Sequence, residues 1–136
     1  MESSSSEVER TRKTTKEDAE IFDEALALRS VGGDVAFLCE VVGLIQAALS
    51  TLLAEIREGM ARRDLRAVRM SAHVATVAAR NVSARRAHEA ARRLEAMAGQ
   101  GNLGGAQRVS LDLEQEVEQL QLALSRLRIS RCSPPR

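Results

Sequence analysis

Between Asp34 and Arg63 the apolar side chains recur at steps of three and four: Phe37, Leu38, Val41, Val42, Leu44, Ile45, Ala48, Leu49, Leu52, Leu53, Ile56 and Met60. This is the 3.6-residue repeat of an amphipathic helix, kept up over about eight turns. It predicts one long helix or two nearly collinear ones. A chain of 136 residues has room for a single domain, so the rest of it must pack around that helix.

The rest of the chain reads the same way. Its two prolines, Pro134 and Pro135, stand at the extreme C-terminus, so no helix before them is broken by proline. Aromatic residues are limited to Phe22 and Phe37, with no Trp or Tyr, so the core must be aliphatic. Alanine and leucine favour helix, and the β-branched residues are scattered rather than clustered. The expectation is an all-α domain.

Punctuation divides it. Residues 1–15 are serine-rich and charged, with nothing to bury, and are expected to form a disordered arm. A first helix is expected over 16–29, ended by Val31-Gly32-Gly33, with Asp34 as N-cap of the long helix. Asp64 should cap a helix over 65–80. Asn81-Val82-Ser83 reads as a turn with Ser83 capping a helix over 84–98, and a last helix over 105–127 follows Gly99-Gln100-Gly101. Short connections between long helices make antiparallel neighbours. The arrangement expected is an antiparallel four-helix bundle over residues 16–128, with one or more extra N-terminal helices and a flexible tail over 129–136.

The formal net charge of +1 conceals an imbalance. From Arg57 to Arg93 ten arginines face only Glu58, Asp64 and Glu89, a local charge of +7 that favours an acidic partner. Cys39 and Cys132 show neither metal-ligand spacing nor a disulfide framework; Cys39 reads as a small core residue. The N-terminal residues lack the apolar stretch of a secretion signal, and no run approaches ~18 uncharged apolar residues. A cytoplasmic protein with no membrane contact is the default expectation.

On the helix beginning at Leu65, the stripe Leu65, Val68, Ala72, Ala75 and Ala79 is the apolar face. Arg66, Arg69, His73, Thr76 and Arg80 lie away from it, so His73 is displayed among arginines rather than buried. On the next helix Ala87, Ala91, Leu94 and Ala98 point inward, while His88, Arg92 and Glu95 form an adjoining polar stripe. Antiparallel packing would bring Arg92 and Glu95 toward His73. A carboxylate accepting from Nδ1–H would fix the tautomer and leave Nε2 nucleophilic. Guanidinium groups would stabilise an anion placed on it. His88 reads as solvated surface.

Three motifs give these residues a family context. They are Gly32-Gly33-Asp34, the run from His73-Val74-Ala75-Thr76-Val77 through Arg80-Asn81-Val82-Ser83-Ala84, and Arg92-Arg93-Leu94-Glu95. Together they resemble a histidine-phosphotransfer (HPt) domain, the phosphocarrier of bacterial multistep phosphorelays, over residues 21–127. That family has a GGD turn, a helix reading His-x-Leu-Lys-Gly-Ser-Ser-Ala-Asn-Leu-Gly-Ala, and a following helix that ends in Arg-x-Leu-Glu. The resemblance implies that His73 accepts the phosphoryl group and that Glu95 orients it. Arg69, Thr76, Val77, Arg80 and Arg92 would form the phosphoryl- and partner-binding surround. It implies no resident cofactor and no autonomous kinase activity, Mg²⁺ belonging to the partner. That partner would be a response-regulator receiver domain, a hybrid histidine kinase, or both.

Two positions depart from the pattern: Thr76 stands for the family's lysine and Val77 for its glycine. They leave open a second reading, an HPt-fold interaction protein that binds a receiver or kinase without transfer. Nucleic acid is not the expected partner, because there is no helix-turn-helix signature and no aromatic side chain to stack on bases. His73, His88 and Glu95 lack the compact spacing of a metal site. Monomer and dimer are both compatible with the sequence.

Overall fold

A computed structural model describes residues 15–132. Six helices follow one another: α1 (Lys16–Ile21), α2 (Glu24–Ser30), α3 (Val35–Ala61), α4 (Leu65–Asn81), α5 (Arg85–Gly99) and α6 (Leu103–Arg131). No strand occurs among the described residues. α3 packs on α4, α4 on α5 and α5 on α6, and α6 closes back on α3. The last pair runs antiparallel: Arg57 Nη2 meets Glu114 Oε1 at 2.8 Å, while Gln121 Nε2 donates to the Gln46 carbonyl at 2.9 Å. The expected all-helical bundle with extra N-terminal helices is what the chain forms.

The long apolar repeat is one uninterrupted helix, α3, started by Asp34, whose Oδ1 accepts from Phe37 N–H at 3.0 Å. Its most apolar 18-residue window reaches a mean hydropathy of 1.9, and by length and composition α3 could cross a membrane. α3 buries Leu38, Val42, Leu49, Leu52 and Ile56, but only 22% of that apolar window is buried in the bundle, and Leu44 stays 72% exposed.

The first helix departs from expectation. Its apolar spacing predicts one element over 16–29, yet Phe22 leaves helical geometry (φ −154°, ψ 111°) and is buried. Asp23 then restarts the chain as N-cap of α2, accepting from Leu26 N–H at 3.0 Å. Its own N–H donates to the Ser83 carbonyl at 3.1 Å, so the break ties the N-terminal segment to the α4–α5 turn. Arg86 adds a second tie, reaching Glu116 on α6 at 3.0 Å and Glu17 on α1 at 3.3 Å. The hydrogen bond to Glu116 holds its guanidinium pKa above the ordinary value, with the charge of Glu116 acting the same way.

The last helix also differs. It begins at Leu103, capped by Asn102, and continues to Arg131 through residues expected in the tail. Cys132, just beyond it, is disulfide-bonded to Cys39 on α3, with the Cα atoms 5.9 Å apart. Cys39 is therefore not a free core thiol, and the end of α6 is covalently anchored. Spacing could not show this, because the antiparallel pairing of α3 and α6 brings together residues 93 positions apart. The expected disordered arm falls, apart from Thr15, outside the described residues; Thr15 itself caps α1 in a capping box with Asp18.

Four helix ends use one backbone device. After α2, α3, α4 and α5 the chain closes with paired hydrogen bonds, such as Asp64 N–H to the Gly59 carbonyl at 2.8 Å and Arg63 N–H to the Met60 carbonyl at 3.1 Å. This is the Schellman closure, which requires one residue in the left-handed region. That residue is Gly32, Arg63, Ser83 and Gly101 in turn. Ser83 is thus not the N-cap of α5: it holds φ +57°, and Ala84 takes the cap position with no side-chain acceptor. A side chain in this region costs about 1 kcal/mol relative to glycine. Arg63→Gly (φ +58°) should therefore raise stability by roughly 0.5–1 kcal/mol, read as a higher urea midpoint at unchanged slope. A lower midpoint would show that the Arg63 side chain matters more than its backbone.

The α4–α5 interface is built from small residues. Ala72, Ala75, Ala78 and Ala79 on one helix and Ala87, Ala90, Ala91 and Ala98 on the other are all buried. Methyl groups let the two backbones approach closely, which positions the next feature.

Candidate functional site

His73 stands at the middle of α4, on the side away from the buried Val68–Ala72–Ala75–Ala79 stripe. Its imidazole is 63% exposed. Across the close α4–α5 interface, Glu95 Oε2 lies 3.0 Å from His73 Nδ1. Glu95 is better covered, at 29% exposure, and sits beside Leu94, which is fully buried. The carboxylate is therefore placed by the α5 backbone, whose next side chain is locked in the core. A carboxylate only accepts, so the neutral ring donates from Nδ1–H and keeps Nε2 as a free lone pair on the solvent side.

His73 and Glu95 line a shallow depression of about 490 Å³ with Arg66, Arg69, Met70 and Val74. Arg66 and Arg69 have no carboxylate within ion-pair distance among the described residues. Their charge is thus available to an incoming anion. The Arg69 side chain reaches across to the end of α5, where a Cβ on Gly99 would lie 3.5 Å from its Nε. Met70 and Val74, 64% and 51% exposed, put an apolar rim beside the imidazole.

Of the residues singled out in the sequence, the fold thus gathers His73, Glu95 and Arg69. The Thr76 hydroxyl donates to the Ala72 carbonyl at 2.9 Å, a bond within its own helix. Val77 is half-buried. Arg80 lines a different cleft, with Lys16 and His88. Arg92 lies in a separate groove with Glu89, Arg93 and Glu116. Met70 and Val74 were not singled out, although a helical period places them within one turn of His73.

His88 is also not solvated surface. It is half-buried, and its Nδ1 lies 3.1 Å from the Thr76 carbonyl, bracing α5 against α4 one turn beyond His73. No group of three or more His, Cys, Asp or Glu side chains suited to a metal ion occurs among the described residues. What the arrangement offers is one oriented, exposed imidazole nitrogen with cations and an apolar rim beside it. Compared with family models, with curated proteins and with solved structures, the chain matches none.

Proposed function

We propose that the chain is a histidine phosphocarrier, accepting a phosphoryl group on His73 from one signalling domain and passing it to another. The observation that carries this reading is the 3.0 Å contact between Glu95 Oε2 and His73 Nδ1, which leaves Nε2 exposed. The Nε2 lone pair attacks phosphorus, the P–O bond to an aspartyl phosphate breaks, and the partner's carboxylate leaves with the electron pair. The product ring carries a proton on Nδ1 and phosphorus on Nε2, and is therefore cationic. Glu95 then faces a positive ring, and the charge-assisted bond strengthens as transfer proceeds.

Arg66 and Arg69, on the turns before His73, supply the positive charge that the resemblance assigns to a lysine at the position of Thr76. A receiver domain has an acidic pocket that holds its own Mg²⁺. Arg66 and Arg69, which have no carboxylate within ion-pair distance among the described residues, suit that pocket and speed encounter, while Met70 and Val74 provide apolar contact. The fitting partners are a response-regulator receiver and a hybrid histidine kinase.

The test is labelling by a phosphorylated receiver, or by a histidine kinase with ATP. The expected product is an acid-labile, alkali-stable label on the wild type and none on His73→Gln. Glu95→Gln keeps a hydrogen-bond acceptor but loses its charge, and should slow labelling by about tenfold. Label that persists in His73→Gln overturns the assignment of the residue, and wild type left unlabelled by several donors overturns the carrier reading.

The second reading, a bundle of this type that binds a receiver or kinase without transfer, is favoured by one observation. The Thr76 hydroxyl is committed to the Ala72 carbonyl, and Val77 adds bulk where the family pattern has glycine. It predicts a stable complex with such a domain and no label.

A further inference from the structure

A second histidine has its tautomer fixed by the fold, and it lines a different cavity. His88 Nδ1 lies 3.1 Å from the main-chain carbonyl of Thr76. A carbonyl cannot donate, so Nδ1 carries the proton. In the neutral ring Nε2 is then an acceptor, and no described residue donates to it. The cavity, about 420 Å³, lies between the α1–α2 segment and the α4–α5 turn. That is within the size range of small-molecule sites, roughly 300–1,000 Å³.

Its walls are held in place. The Asp23 N–H to Ser83 carbonyl bond closes the two sides against each other, and Glu20 faces Arg85 at 3.8 Å. Both carboxylates that line it already have partners: Glu20 has Arg85, and Asp23 accepts from Leu26 N–H at 3.0 Å. The cations Lys16 and Arg80, which also line it, have no carboxylate within ion-pair distance among the described residues. Arg85, the third cation of the lining, is paired with Glu20 and Glu89, and Arg86 beside it in sequence with Glu17 and Glu116. The apolar part of the lining is made by Ala19, Leu26 and Ala84, and Leu26 is 43% exposed.

We propose that this cleft binds a small organic anion, a carboxylate or phosphate monoester on a short apolar body. The anionic group sits between Arg80 and Lys16, the body lies on Leu26 and Ala19, and His88 Nε2 accepts a hydrogen bond from a ligand N–H or O–H. This goes beyond the phosphocarrier reading and does not depend on it, because the cleft shares no lining residue with the depression around His73.

The experiment is a ¹⁵N-resolved NMR titration of the full chain with benzoate and with phenyl phosphate, and with benzyl alcohol as the neutral control. One or both anions should shift the amides of Leu26, Ala84 and His88 saturably, leaving those of Met70, His73 and Val74 in place. Which anion binds more tightly separates the carboxylate from the phosphate source. Arg80→Gln should weaken binding by about tenfold or more. Lys16→Gln, at an exposed first-turn position, gives the same reading should Arg80→Gln fail to fold. Three outcomes overturn the proposal: no saturable shift with either anion, equal binding of benzyl alcohol, or shifts confined to the Met70–Val74 stretch. Since no phosphoryl transfer is measured, none of them bears on His73 as an acceptor.

Discussion

Leu94→Ala should lower the stability of the bundle by about 4–5 kcal/mol, the upper half of the range for deleting a buried leucine. The reason is its neighbourhood. Leu94 is fully buried, and the α4–α5 interface around it consists largely of alanines, Ala72, Ala75, Ala90 and Ala91 among them. Alanine has no side-chain torsion with which to swing a methyl group into a void, so the cavity left by the leucine cannot be filled locally. Without Trp or Tyr the chain lacks the usual fluorescence probes, and urea unfolding followed by helical circular dichroism is the suitable measurement. The midpoint should fall at nearly constant slope. A loss below about 1 kcal/mol would mean that α4 and α5 close over the gap, and that the interface is softer than its composition implies. The same variant should loosen Glu95, the next residue, so labelling of His73 should fall more than the drop in folded fraction alone explains.

Reducing the Cys39–Cys132 bond should cost about 2–4 kcal/mol, because the bond closes a long loop and so restricts the unfolded chain heavily. For a domain of this size that corresponds to a fall in Tm on the order of 10 °C. The matched measurement is thermal unfolding with and without dithiothreitol, with Cys39→Ser/Cys132→Ser as the control that should mimic reduction and no longer respond to it. An unchanged Tm on reduction would show that the loop is already restrained in the unfolded state. Structural disulfides persist in oxidising surroundings and are rare where cellular thiols are reducing. The redox state of the two cysteines in the cell is therefore a direct test of the cytoplasmic location expected from the sequence.

Much of the fold could be read from the chain because its signals are local. The α3 repeat and the alanine stripes of α4 and α5 follow one period, and Asp34 and Asp64 cap where they were expected to. What escaped depends on contacts distant in sequence or on backbone geometry. The break at Phe22–Asp23 is fixed by the Ser83 carbonyl, sixty residues on. Ser83 resembles a helix cap by residue type, but occupies the left-handed position of a Schellman closure. The HPt pattern has glycine at this place, and that was the available sign.

At the site, the His73–Glu95 pairing was legible because a tight turn between antiparallel helices leaves little freedom in their register. Arg92, one turn before Glu95, lines a separate groove with Glu89, Arg93 and Glu116. His88 lies two turns before Glu95 on nearly the same line, and each meets α4: one at the Thr76 carbonyl, the other at the His73 ring.

The disulfide also decides how the molecule would answer a mechanical load. A pull applied at the two ends of the chain is borne by the Cys39–Cys132 cross-link, so the four long helices hang in a closed loop that carries no tension. Among the described helices, only α1, α2 and the first turn of α3 lie on the loaded path. Severing the bond under force would release the 93-residue span, about 300 Å of hidden contour length. In a single-molecule trace, force alone should extend the chain briefly, and a reductant should lengthen it in one large step.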